Sequence, residues 1–429
     1  KEKKMISHIH KSTITELFPS NFKIMPQTFD VFELDFALKE YHCLKTTNEF
    51  VQRSAYFEEV DGYKTNHYLL CMSKNSKIFE KKSLSTRSFF EANMFSSNYA
   101  THGFFPYRGK FHPQMIKAIM NIIGLKKGDT VLDPMCGSGT TNVEAALIGI
   151  NSIGVDISPF CKLMASVKHQ CLYVNLLHLE NLINYQKNIV EFYSNSENYL
   201  KDIDYFKKQD FAKVVEVEDE QHYYLLRDLL LLIYLDAMGY ARRRTNKTID
   251  DVFDDVLKKY ILTYADFTKC KKQLNLEIGT SEIYCGTSTS LPIEDNSIDG
   301  IITSPPYSFA IDYADNDKPQ LEYMGINPDT LKQSMVGLRG NSKKEKIQLY
   351  FEDMNKSIAE MSRVLKPGKY CVIIIGSNEI QTGGIRHEVE MKKFAALNGM
   401  FLECEIVKPI KGIQNTMKEE FILFFKKGK

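Results

Sequence analysis

Apolar residues recurring at three and four mark helices in this chain, and short continuous apolar runs mark strands. Met115, Ile116, Ile119, Met120 and Ile123 share a helical face behind Pro113, a first-turn proline, and Gly124 closes that helix. Next come a strand at 130–133, a glycine loop at 134–139, a helix from Thr140 and a strand at 152–156 ending on Asp156. Ser158 and Pro159 then supply the N-cap and first turn of another helix, completing a βαβ unit of about 30 residues. Strands are also predicted at 281–287 (SEIYCGT) and around Ile298, Ile301 and Ile302. Ile347, Tyr350, Met354, Ile358, Met361 and Leu365 fall on one helical face, with Pro367-Gly368 as the stop. KYCVIIIGS (369–377) is apolar throughout, as suits a strand covered on both faces. A helix over 384–399, closed by Gly399, precedes two strands, 401–408 and 419–427, whose linking loop is long enough for an antiparallel pair. The alternation predicts an α/β fold, a doubly wound, mostly parallel sheet with an antiparallel final hairpin.

Two stretches stand outside this alternation. More than 120 residues separate Asp156 from the strand at 281, far more than a crossover needs, so 161–280 is expected to be a mainly helical insertion. Within it, 222–244 reads as a buried helix ending in Arg242, Arg243 and Arg244, and 248–267 as another capped by Thr248 or Asp250. Residues 1–100 carry no chemical motif and form an accessory region, with strands expected at 22–38 and 62–73 and a helix from 82. The catalytic part is then 101–160 plus 281–429.

Composition narrows the class. Hydrophobic content of 43% and charged content of 25% are those of a soluble globular protein. With 55 basic against 54 acidic residues, any nucleic-acid contact must come from a local basic face. Nine cysteines without a C-x-x-C pair or zinc spacing read as reduced thiols in the cytoplasm, with no metal site. The basic opening KEKKMISHIH leads into no apolar segment, so no secretory leader is expected. The longest apolar run, 229–235, is too short for a membrane span.

The chemistry gathers at two loops. Gly137 and Gly139 let backbone approach a ligand at a strand's carboxyl end, where the helix from Thr140 offers free N–H groups. Asp156, 17 residues after Gly139, suits a ribose diol (156 − 139). Asn142 replaces the third glycine of a dinucleotide loop, and no phosphate-binding G-x-x-x-x-G-K motif is present. These departures favour S-adenosylmethionine over NAD or ATP. The second loop, TSPPY (303–307), follows a buried strand; its stiff prolines and aromatic ring suit a flat, amino-bearing ring.

In that order DPMCGSGTT, GVDISP and TSPPY, preceded by THGFFPYRGKFHPQ, resemble the S-adenosylmethionine-dependent DNA amino-methyltransferases of the cytosine-N4 and adenine-N6 kind. The resemblance covers roughly 101–160 and 281–429 and implies a class I methyltransferase fold. It implies that Asp133, Pro134, Met135, Cys136, Gly137, Gly139 and Thr140 line the methionine end of the cofactor. Asp156 would bond the ribose, Ile157 would lie against the adenine and Phe111 would close the pocket. Ser304, Pro305, Pro306 and Tyr307 would form the methylating site. Two positions depart from the family: Met135 replaces the usual Phe, and Thr287 stands where an acid commonly meets the adenine amino group. Ser304 in place of Asp leans toward cytosine N4.

The implied partner is double-stranded DNA, with any cognate restriction endonuclease on a separate chain and no membrane. Arg242, Arg243 and Arg244 read equally as a favourably charged helix end or as phosphate contacts of a target-recognition insert. Asp312, Tyr313 and Asp315 read equally as base-pocket lining or as a solvated loop. Two rival readings stand: an RNA guanine or protein-glutamine amine methyltransferase, and a catalytically silent cofactor-binding subunit.

Overall fold

The computed structural model describes residues 16–26, 28, 30–73, 98–107, 110–243, 246–306, 312–376, 384–410 and 419–429. Seven strands form the main sheet: β1 (Thr130–Asp133), β2 (Asn151–Asp156), β3 (Ser281–Cys285), β4 (Ile298–Thr303), β5 (Leu365–Gly376), β6 (Met400–Pro409) and β7 (Glu419–Lys427). Their spatial order is β3-β2-β1-β4-β5-β7-β6. The first five run parallel, and β7 is antiparallel to both its neighbours. This is the class I methyltransferase fold. The strand order reverses beside β1, so the carboxyl ends of β1, β2 and β4 frame the crevice in which such sheets hold ligands.

Helices α1 (Pro113–Ile122), α2 (Thr140–Leu147) and α3 (Pro159–Tyr173) pack on the sheet, α4 (Glu220–Arg243) and α5 (Ile249–Leu274) pair with each other in the insertion, and α6 (Lys343–Val364) and α7 (His387–Leu397) pack on the sheet again. The unbroken apolar run in β5 serves two cores. Val372 and Ile374 join the cluster holding Met115, Ile116 and Ile119 of α1, whereas Cys371, Ile373 and Ile375 join that holding Met354, Ile358 and Met361 of α6. Helix α5 begins at Thr248, whose hydroxyl accepts from the Asp251 N–H, so Thr248 and not Asp250 is the cap.

Three expectations are corrected. The chain over Val31–Cys43 is helical, not extended: Asp30 and Glu33 form a capping box, and Phe36, Ala37 and Glu40 make one buried stripe. Only Phe22–Ile24 of that stretch is strand, in a small sheet with Phe57–Val60 and Tyr63–Lys64. Thr65 likewise caps a helix, Asn66–Met72, where a strand was expected. Helix α6 ends at Val364, before Pro367-Gly368. Leu365 is already extended, fully buried and paired with Ile298, so sheet pairing stops the helix and the proline sits inside β5 near a shift in register. The helix expected from 82 falls outside the described residues.

The accessory region is keyed into α2. Fully buried Glu144 takes hydrogen bonds on one oxygen from Tyr99 Oη and His102 Nε2, each at 2.6 Å, and Lys117 Nζ of α1 lies 3.3 Å from the other. Burial works against ionisation there, yet Lys117 and His102 hold the carboxyl down at about 2.

The insertion shares its core with the site region. Phe104, Phe105, Phe160, Leu321 and Met335 belong to the same apolar cluster as the buried faces of α4 and α5. Phe104 stacks on Tyr260 of α5 at 4.6 Å between centroids, and Tyr260 Oη accepts from the Phe105 N–H while donating to buried Asp236.

Candidate active site

Residues 134–139 fold back on themselves because Gly137 and Gly139 both take left-handed backbone, at φ +48° and +77°. Gly139 is the N-cap of α2, and a Cβ there would come within 2.8 Å of Ala165 Cβ on α3. Only glycine lets the loop lie this close to α3. The first turn of α2 therefore opens toward the cleft.

Asp133, at the tip of β1, is fully buried and holds this loop to its neighbours. It accepts from Thr141 Oγ1 of α2 (2.7 Å), Thr303 Oγ1 of β4 (2.8 Å) and the Met135 N–H (3.2 Å). Burial pushes its carboxyl up to about 6, against the pull of those bonds. The latch fixes the glycine loop against the strand that delivers TSPPY.

One open cleft, about 940 Å³ of empty space counted out to solvent, runs along these strand ends. Phe111, Pro134, Met135, Cys136, Gly137, Thr140, Asp156, Ile157, Thr287, Ser304 and Pro306 all line it. Three expected residues do not. Asp133 lies beneath the loop as its latch, Gly139 is spent on the approach to α3, and Pro305 is buried outside the cleft wall. Tyr307 and Arg244 lie outside the described residues.

The proline carbonyls are not both turned outward: that of Pro306 accepts from the buried Tyr350 hydroxyl of α6 at 2.9 Å. Asp156 receives the Gly137 and Ser158 N–H groups, one on each oxygen, both at 2.9 Å, and burial raises its carboxyl above the usual range. Arg242 and Arg243 are exposed; Arg243 Nε returns to the Gly239 carbonyl of its own helix at 3.1 Å. Of the trio Asp312, Tyr313 and Asp315, Tyr313 lines the cleft, whereas Asp312 and Asp315 do not; Asp315 is exposed, and both acids pair with Lys332 at 2.9 and 2.6 Å.

Apart from Tyr313, the far wall of the cleft was not legible. Tyr313, Ala314, Asp317, Leu321, Leu331, Ser334, Met335 and Val336 belong to a stretch without a motif that crosses from β4 to the insertion. Tyr107 and Lys110 come from the segment before α1. The Tyr107 ring packs over Gly137 and stacks with Tyr313 at 6.4 Å, and burial lowers Lys110 to about 8. A run of aromatics around Pro106 was the available signal for Tyr107; none marked Asp317.

Two carboxylates, half-buried Asp156 and buried Asp317, line the cleft without a lysine or arginine paired to either among the described residues. With the glycine loop between the strand ends, they fit a positively charged nucleoside. Among the described residues no cluster of metal-ligating side chains is present and no helix is long and apolar enough to cross a membrane.

Fold and cleft together define an S-adenosylmethionine-dependent methyltransferase. Residues 298–429 match the family model described as DNA methylase, and residues 104–218 that described as RMKL-like, methyltransferase domain. The Type II methyltransferase M.BsoBI of Geobacillus stearothermophilus is 24% identical over 363 residues, covering 72% of this chain and 69% of that protein. M.MjaII of Methanocaldococcus jannaschii, also a Type II methyltransferase, is 32% identical over 188 residues, 41% of this chain and 34% of that protein. A tRNA (guanine(10)-N2)-dimethyltransferase of Methanothermobacter thermautotrophicus is 42% identical over 53 residues, 12% of this chain and 16% of that protein. The chain is similar to the DNA amino-methyltransferases over these stretches. S-adenosylmethionine is its methyl donor.

Proposed function

We propose that this chain methylates the exocyclic amine of a base rotated out of duplex DNA, cytosine N4 in preference to adenine N6. The observation that carries the reading is the Asp133 latch, which sets Ser304 and Pro306 in the same cleft as the glycine loop. The bound donor supplies a sulfonium-activated methyl group. The Ser304 hydroxyl accepts from the amine and orients it so that its lone pair points at the methyl carbon. Tyr307 stacks on the base, which is reachable only outside the helix. Serine is not basic enough to take the proton that the amine nitrogen sheds, so that proton leaves to water. The preference for cytosine rests on this serine, and the DNA substrate on the DNA methylase match over 298–429 and on the two Type II relatives. A cognate endonuclease would be a separate chain.

A second reading, transfer to a guanine amine of RNA, draws on the match over 104–218 and the 53 residues shared with the tRNA enzyme. Labelled methyl transfer to duplex DNA and to tRNA separates the two, and base-resolved sequencing of methylated DNA identifies the amine. Incorporation into tRNA alone overturns the DNA reading. Tyr307→Ala is expected to abolish transfer; unchanged methylation would favour the silent-subunit reading.

A further inference from the structure

Asp317 is the least explained group in the cleft. It occupies the N-cap of a short helix, Lys318–Tyr323, where an aspartate ordinarily accepts a backbone N–H, yet its carboxylate makes no capping bond. Its residue is only 8% exposed, and what is exposed lines the cleft. Among the described residues no side chain or N–H bonds its carboxylate. Burial and the nearby Asp156 push that carboxyl up to about 7. The Tyr107, Cys161 and Tyr313 side chains also feel its charge, so it belongs to the half of the cleft around the end of β2.

A buried acid that neither caps its helix nor pairs with a cation costs stability unless a ligand completes it. Two acids in one cleft repel, and a positive charge entering the cleft relieves that. The donor brings a sulfonium, whereas the product left after transfer is a neutral thioether. We infer that Asp317 is a specificity-determining residue that makes this cleft prefer the positively charged donor over its neutral product. The inference rests on the donor reading of the cleft and goes beyond it by assigning donor–product discrimination to a residue outside the motifs. The consequence is faster clearance of product, since transfer removes the charge that held it.

The test needs no nucleic acid. Affinities of the full chain for S-adenosylmethionine and S-adenosylhomocysteine are measured by calorimetry, for wild type, Asp317→Asn and Asp317→Glu. Asp317→Asn is expected to weaken donor binding about tenfold and leave product binding nearly unchanged, as removal of one facing charge requires. Asp317→Glu is expected to restore much of the preference. An unchanged donor-to-product ratio in Asp317→Asn, or equal weakening of both ligands, would overturn the assignment. A wild-type chain that binds neither ligand would overturn the donor reading itself, which separates the two failures.

Discussion

Asp133 shows how one residue couples two motifs that lie 170 positions apart, through the hydroxyls of Thr141 and Thr303. Its carboxyl is held near 6 by burial, above the 3.8 of a free aspartate. Between those values the native chain binds the proton that the unfolded chain has lost. Stability from this group is therefore complete below about pH 4 and drains away as pH rises through 6. Asp133→Asn cannot ionise. In thermal melts from pH 4 to 7, wild type is expected to lose on the order of 1–3 kcal/mol relative to the variant. A constant gap would refute the latch as drawn.

At the level of elements, Gly139 is where loop, helix and neighbouring helix meet. Gly139→Ala combines a left-handed backbone with a 2.8 Å approach to Ala165 Cβ. It is expected to cost about 1–3 kcal/mol and to weaken donor binding about tenfold, because the first turn of α2 must shift. Calorimetry with the donor and a thermal melt measure both. The strands and helices around this loop could be read from the chain because each is buried on a regular period and bounded by a proline, a glycine or a capping residue. Where two periods competed, tertiary context decided. In Val31–Cys43 alternate apolar residues imitate a strand, but the capping box and the buried stripe at Phe36, Ala37 and Glu40 make it a helix. At the end of α6 the proline was a weaker signal than the pull of β4 on Leu365. The motif side of the cleft was likewise legible, since Gly137, Asp156 and Ser304 have chemistry that spacing reveals. The wall carrying Asp317, Leu331 and Met335 was not, because its residues meet the cleft only after the chain has packed on the insertion.

Across the whole molecule, the insertion stands beside the cleft: Gly239 of α4 approaches Gln320 on the helix that carries Asp317. On the proposed DNA reading, the exposed Arg242 and Arg243 at the end of α4 would meet phosphates of the entering duplex. Replacing both with alanine is expected to lower the slope of log affinity for duplex DNA against log salt by about 2, with donor affinity unchanged. An unchanged slope would return them to a helix-end role.

Glu144 carries a last implication for the first hundred residues. Tyr99 and His102 shield its charge on the very helix that the glycine loop opens. Trimming the chain to the segment bearing the recognisable motifs would strip the Tyr99 donor from an anion sealed in an oily interior. The seemingly featureless leading segment is thus a keystone of the donor-binding half, and a shortened enzyme would be expected to lose its grip on the methyl source before losing its sheet.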